Sequence, residues 1–375
     1  MTHKKKVCIS FLGNTLHDSR ITNLSNSFKE DGCTVSVIGF DWFISSNDYF
    51  DDGTKIFKLK KGKFSLFFYL NFAFILIREL IFTKADIYFA EDIYTLPFVT
   101  MIAKARHAKI YYNSRELYPF IGGLRNRPKI QSLVTRIEKY FIKKVDLVLT
   151  TGKLDSEFLE KYYGIDNTLV IRNIPLNQKP DNKIDFRKLY NIPADKLILL
   201  YQGVMLKGRG IPRIFNTMSK LPQVYLVLLG DGEQKKNFQK LAGELGISDR
   251  VIFAGSILQK DLINYTAGAD VGLSLIENIS ISYYHALPNK LFEYIIAGLP
   301  VLSSDLPQMK EIINIYKVGE SINIESDDNI YNVLKKWSDE PNILDYYRKN
   351  CVSAAAELNW QKEYDKVRSK LLETG

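Results

Sequence analysis

Residues Pro288-Asn289-Lys290-Leu291-Phe292-Glu293 join a helix-starting proline to a cation and a carboxylate within little more than one turn. Pro288 suits the entry to a helix and Gly298 with Pro300 suits its exit, so a helix is predicted over about 289–297, feeding a strand at Val301. The free N–H groups and positive dipole end at such a start suit a phosphate, and Lys290 adds a full charge. Glu293 is four residues after Asn289 and shares its face. A carboxylate so placed can accept both hydroxyls of a ribose, although taken alone a pairing with a surface lysine is the stronger reading. A second stretch, Tyr201 to Ile211, carries Gly203, Lys207, Gly208, Arg209 and Gly210 between a strand and a helix. Glycines let backbone approach a ligand closely, and Lys207 and Arg209 can neutralise a diphosphate, Arg209 in bidentate fashion. The stretch lacks the Gly-Lys-Ser/Thr ending of a Walker loop and is not the dinucleotide fingerprint.

The elements that must position these residues alternate. Strand-like apolar runs fall at Val7–Leu12, Val35–Phe40, Ile87–Ala90, Lys109–Asn113, Val145–Thr150 and Leu169–Arg172, with amphipathic stretches at Ile21–Asp31, Ile93–Ala105 and Ile130–Lys144. Turn-rich residues at Asn173–Lys183 break the pattern. It restarts with Leu197–Gln202, Val224–Leu229, Val251–Ala254, Val271–Leu275, Val301–Ser303 and Val318–Ile322. Alternation of this kind implies parallel βαβ units, hence an α/β chain of two doubly wound, Rossmann-like domains. The expected division is residues 1–175 and 176–359, with a C-terminal helix over 360–375 returning to the first domain. Ligands of such sheets sit at the carboxyl ends of strands, so the site is expected in a cleft between the domains.

Composition narrows the chemistry. The chain has 375 residues, 46% of them hydrophobic and 25% charged, which excludes a disordered chain, a fibre or a coiled coil. Cys8, Cys33 and Cys351, with four dispersed histidines, support neither a disulfide framework nor a metal site. The net charge of +9 favours anionic partners; nucleic acid is not expected, because zinc-finger spacing, RNP aromatics and a long basic run are all missing. The apolar run after Lys6 is too short for a signal peptide, and a cytoplasmic protein is expected. The run Phe64–Phe82 is broken by Asn71, Arg78 and Glu79, short of the roughly 20 residues a membrane span needs. It reads first as a helix packed on a sheet. The alternative is a helix dipping into an anionic membrane leaflet at the inner face, beside Lys58, Lys60, Lys61 and Lys63.

Together, PNKLFEYIIAGLPVLSSD and YQGVMLKGRGI resemble the nucleotide-sugar domain of GT-B glycosyltransferases, retaining family 4 in particular. Gly230-Asp231-Gly232-Glu233 and Gly255-Ser256-Ile257 are similar to that family's second pair of loops, the latter touching the base, and Gly13-Asn14 resembles the glycine loop that nears the donor diphosphate. The resemblance implies transfer of a sugar, with retention, from a UDP- or GDP-sugar to a glycan or lipid-linked acceptor in cell-surface polysaccharide synthesis, without metal or other cofactor. It implies that Glu293 holds the ribose and that Arg209, with Lys207 and Lys290, balances the departing diphosphate. Gly203, Gly230, Gly255, Ser256, Ile257, His285, Pro288, Asn289, Lys290 and Leu291 complete the expected donor contacts.

Two departures stand out. His285 occupies the place of the family's first glutamate, which normally touches the donor sugar. Arg115, before Glu116, stands where many relatives have histidine; it cannot act as a base but could meet developing negative charge or an anionic acceptor. Asp18, Arg20 and the Glu91-Asp92 pair are further candidates; the competing reading is helix capping and surface pairing ahead of Ile21 for Asp18 and Arg20, and capping of the next helix for Asp92. The departures keep open a UDP-sugar 2-epimerase-like enzyme on the same fold and a non-catalytic scaffold.

Overall fold

The structure, a computed structural model, describes residues 4–42, 47–51, 53–60 and 65–373. It divides into two compact units, Met1–Arg172 with Glu363–Gly375, and Asn173–Lys362.

The first unit holds β1 (Lys6–Ser10), β2 (Thr34–Asp41), β3 (Tyr49–Asp51), β4 (Thr54–Lys58), β5 (Ile87–Ala90), β6 (Lys109–Ser114), β7 (Leu147–Thr150) and β8 (Thr168–Val170). They form one sheet in the order β3-β4-β2-β1-β5-β6-β7-β8, parallel except for the β3–β4 pair. Its helices include α1 (Ser19–Glu30), α2 (Ser65–Phe82), α3 (Leu96–Ala105), α4 (Pro128–Ile142) and α5 (Lys153–Tyr163). β5, IYFA, is buried throughout, as a central strand covered on both faces must be. β3 and β4 were not foreseen: β4 reads TKIFK, with only Ile56 and Phe57 buried in the core.

The α2 helix corrects one expectation. Phe72, Leu76 and Leu80 are buried beneath it, but Leu66, Phe67, Leu70 and Phe74 are exposed, so the packed-core reading accounts for one face only. Lys61 and Lys63 lie outside the described residues. No helix among the described residues is long and apolar enough to cross a membrane.

The second unit opens with α6 (Phe186–Tyr190) and builds an all-parallel sheet from β9 (Leu197–Gln202), β10 (Val224–Leu229), β11 (Val251–Gly255), β12 (Val271–Ser274), β13 (Val301–Ser304) and β14 (Gly319–Ile322). The order β11-β10-β9-β12-β13-β14 reverses direction between β9 and β12, the point at which doubly wound sheets open a crevice for ligands. Around it run α7 (Ile211–Met218), α8 (Lys235–Glu244), α9 (Gln259–Thr266), α10 (Ile281–Tyr284), α11 (Asn289–Ile296), α12 (Pro307–Tyr316), α13 (Asp327–Asp339) and α14 (Asn342–Ala355). The last helix, α15 (Trp360–Leu372), is capped by Asn359, whose side chain accepts from Lys362 N at 3.1 Å. Within the first unit its Glu363 pairs with Arg172 at 2.6 Å and its Tyr364 donates to Asp31 at 2.7 Å.

Candidate functional site

In the second unit, α11 is pinned over the sheet reversal by Tyr294. Its hydroxyl accepts from Gln202 N at 3.1 Å and lies 3.2 Å from the carbonyl of Leu273, bridging the ends of β9 and β12. Gly272 makes room for it, since a Cβ there would lie 2.4 Å from the Tyr294 ring. Leu291, Phe292, Ile295 and Ile296 are buried on the same side, which turns Lys290 and Glu293 outward. Pro288 enters the helix in extended conformation and no side chain caps this end.

Glu293 is held by β9. Gln202 Nε2 donates to its Oε2 at 2.5 Å, and Gln202 Oε1 accepts from Thr266 Oγ1 at 2.8 Å, so the amide orientation is fixed by both ends. Burial pushes the Glu293 carboxyl up from its ordinary range, against the opposing pull of Gln202, Gln259 and Lys290. Lys290 Nζ sits 3.8 Å from the centroid of Tyr201. Burial, with the charge of Arg209, holds its ammonium well below the usual lysine range, only partly offset by Glu293. The Arg209 guanidinium lies 5.0 Å over the Tyr283 ring. Among the described residues neither Arg209 nor Lys290 forms an ion pair with a carboxylate.

The loops leaving β9, β10 and β11 are joined through their backbones. Gly203 N donates to Leu229 O at 2.9 Å, Gly230 N to Gly255 O at 2.7 Å, and Met205 N to Asp231 O at 2.8 Å. Gly230, at φ +135°, must be glycine, because a Cβ would stand 2.2 Å from the Gly203 carbonyl. The structure thus brings Gly203, Gly230, Gly255, Arg209, Lys290 and Glu293 to one strand-end region, with Pro288, Asn289 and Leu291 on the helix that supplies the last two. Ser256 is exposed beyond β11, and Ile257 packs partly on the core. His285 follows α10, and its carbonyl accepts from Gln308 Nε2. Lys207 is exposed on the same loop as Arg209. Sequence reasoning missed Gln202, Thr266, Gln259 and Tyr294; the one visible signal was a polar residue ending the apolar strand LILLYQ.

In the first unit the candidates form a different cluster. Arg115 Nη1 meets Asp18 Oδ2 at 2.5 Å, while its Nε and Nη2 meet Glu91 Oε2 at 3.1 and 2.5 Å. Asn113 Nδ2 donates to the same Glu91 oxygen at 2.9 Å. Arg115 also lies 4.6 Å over the Phe11 ring. Its charge is therefore already balanced by two carboxylates. Arg20 is buried, not at the surface as capping and surface pairing would have it, and donates to Ile171 O at 2.8 Å and Asn113 Oδ1 at 2.9 Å. Asp18 caps α1 by accepting from Ile21 N at 2.9 Å. Asp92 accepts from Leu12 N and Thr95 N, both at 2.7 Å, the capping role weighed against acid–base chemistry. Burial raises the Asp92 carboxyl to about 6. Gly13 packs under Phe11, where a Cβ would lie 2.3 Å from the ring, and Asn14 donates to Asp41 at 3.1 Å. Among the described residues no group of His, Cys, Asp and Glu is suited to hold a metal ion.

Residues 182–357 match the family model of glycosyl transferases group 1. The likeness to this family covers a little under half of the chain. A lipopolysaccharide core biosynthesis glycosyltransferase, LpsE of Rhizobium meliloti, is 36% identical over 121 residues, which cover 32% of this chain and 33% of that protein. The chain thus spans about a third of that relative's length. Solved structures extend the likeness to the whole chain. A sucrose-phosphate synthase from Thermosynechococcus elongatus superposes with a TM-score of 0.78 at 16% identity, covering 98% of both chains. Anabaena HepE, in complex with UDP and glucose, superposes with a TM-score of 0.73 at 14% identity, covering 98% of this chain and 99% of that one. The fold is GT-B, an α/β architecture of two mostly parallel sheets, as the glycine and helix motifs implied.

Proposed function

We propose that this chain is a retaining glycosyltransferase that moves a sugar from a nucleoside-diphosphate sugar to a glycan or lipid-linked acceptor in cell-surface polysaccharide synthesis. The observation that carries this reading is the pairing of two cations lacking a carboxylate partner, Arg209 and Lys290, with a carboxylate held by Gln202 at the end of β9. Glu293 accepts the two ribose hydroxyls. Arg209 and Lys290, assisted by Lys207 and by the uncapped N-terminus of α11, offset the charge that grows on the diphosphate as the anomeric bond breaks. Ser256 and Ile257 follow β11 at the base end of the donor, and His285 lies toward its sugar. The matched LpsE is a lipopolysaccharide core enzyme by name, which supports a cell-surface glycan as product. Anabaena HepE was solved with UDP and glucose, which supports a UDP-sugar donor over a GDP-sugar.

Isothermal titration of UDP, GDP and their sugars tests the donor. Binding of one nucleotide series, lost in Glu293→Ala, is the expected result. No binding of either series, with Glu293→Ala indistinguishable from the parent, overturns the reading.

A further inference from the structure

The carboxyl rim of the first sheet carries an aromatic surface that the donor reading leaves unused. The order β2-β1-β5 puts the reversal of this sheet beside β1, where ligands of doubly wound sheets settle. Trp42 directly follows β2, and Tyr94 stands four residues beyond the end of β5. The first turns of α2 bring Phe68 and Tyr69 to the same rim. Phe68 is four residues before Phe72, and Tyr69 is seven before Leu76, so both continue the buried stripe of that helix. There the stripe outruns the core: Phe68 is half-buried and Tyr69 is 43% exposed. Tyr69 thus differs from Phe67 and Phe74, which lie on the opposite side of the helix.

The four rings touch in sequence. Trp42 and Phe68 meet edge to face at 5.5 Å, Phe68 and Tyr69 likewise at 5.3 Å, and Tyr69 and Tyr94 lie nearly parallel, 5.8 Å apart at 17°. The loops that carry them are tied down. Asp92 accepts from Leu12 N at 2.7 Å and Asn14 donates to Asp41 at 3.1 Å, which anchors the chain next to Tyr94 and next to Trp42. Tyr94 is 42% exposed, so the outermost rings are the two tyrosines. A lipid chain or an aliphatic partner needs hydrocarbon only. A phenol offers an apolar face together with a hydroxyl that seeks a hydrogen bond. A pyranose has the same two-sided character: its axial C–H groups make an apolar face of slight positive charge, and its hydroxyls ring the edge. The negative face of an aromatic ring attracts the first, and the phenol hydroxyl meets the second.

We propose that Trp42, Phe68, Tyr69 and Tyr94 form a shelf on which a pyranose ring of the acceptor stacks. The inference rests on the glycosyltransferase reading and narrows it: the acceptor is recognised through a sugar, not through a lipid phosphate alone. Tyr69 and Tyr94 supply the stacking faces and the hydrogen bonds at the ring edge. Phe68 and Trp42, both packed against the core, back them. None of the four is among the residues assigned to the donor.

Trp42 supplies the reporter. Of the three tryptophans, Trp337 and Trp360 are buried, so acrylamide quenches Trp42 alone. The probes are the methyl glycosides of glucose, galactose, mannose and N-acetylglucosamine, titrated into the full chain through the millimolar range. At least one is expected to shield Trp42 from acrylamide, with the signal gone in Trp42→Phe. Tyr94→Ala, alone or with Tyr69→Ala, is expected to weaken that glycoside about two- to tenfold per ring removed, whereas Tyr94→Phe keeps the stack and most of the affinity. Circular dichroism and nucleotide affinity should match the parent in each variant. No shielding by any glycoside, or shielding undiminished in the double alanine variant, overturns the proposal. So does shielding by UDP or GDP that no glycoside reproduces, because a base would then occupy the shelf. Nucleotide binding that persists while every glycoside fails removes the shelf and leaves the transferase reading standing; failure of both removes the reading as well.

Discussion

The two units reverse their sheets in the same way, yet they treat charge at that reversal oppositely. In the first, at the ends of β1, β5 and β6, Arg115 is clamped by Asp18 and Glu91, and Arg20 is buried on the Ile171 carbonyl and the Asn113 side chain. In the second, at the end of β9, Arg209 and Lys290 stand over aromatic rings without a carboxylate to neutralise them. Closed pairs hold a structure together at the cost of desolvation, whereas cations left beside rings keep their charge for something that arrives. The same strand-end geometry thus serves rigidity in one unit and ligand charge in the other.

The comparison breaks first if Arg115 can be removed cheaply. Arg115→Ala leaves the buried Glu91 without its cation, and a loss of about 3–5 kcal/mol of stability is expected by chemical denaturation, with nucleotide affinity unchanged. Arg209→Ala should do the reverse. Stability holds within about 0.5 kcal/mol, and nucleoside-diphosphate affinity falls by about 10- to 150-fold in calorimetry, the range for a lost bond to a charged group. A smaller effect concerns pH. Lys290 has its pKa depressed by burial below 10.5, so the free site loses this charge as pH rises through that lowered value; a diphosphate restores it. Binding should therefore take up protons near and above that lowered value, measured as a dependence of the calorimetric heat on buffer ionisation. Glu293, raised above 4.5, loses its charge as pH falls through the raised value, so affinity should also decline on the acid side at a higher pH than an exposed carboxylate allows. The smallest effect is expected from Gln202→Leu, which removes one bond to Glu293 and weakens nucleotide binding about fivefold, roughly 1 kcal/mol.

Much of the second unit was legible because strands such as LILLYQ and VYLVLL are continuous apolar runs, each followed by a glycine, the pattern of buried parallel strands. Lys290 and Glu293 were legible for a related reason, since a proline, a lysine and a glutamate within Pro288–Glu293 are a local pattern, as is Arg209 among the glycines after β9. Their supports were not. Gln202 reaches Glu293 across 91 positions, and Gly272 yields space to Tyr294 only once β12 and α11 are packed. Nor could Arg20 be placed, because its partners are an asparagine and a carbonyl far along the chain. The α2 helix shows the converse limit. Its near-uniform apolar sequence hides which face is covered, and the structure leaves Phe67 and Phe74 outside while burying Phe72 and Leu76.

The most direct test compares nucleoside with nucleoside diphosphate. Uridine and UDP, and guanosine with GDP, would be titrated into the protein and into its Arg209→Ala variant. A diphosphate that binds far more tightly than its nucleoside, with the gap largely closed in the variant, is what the open cations at the end of β9 require. Equal affinity for the diphosphate in both proteins would contradict it.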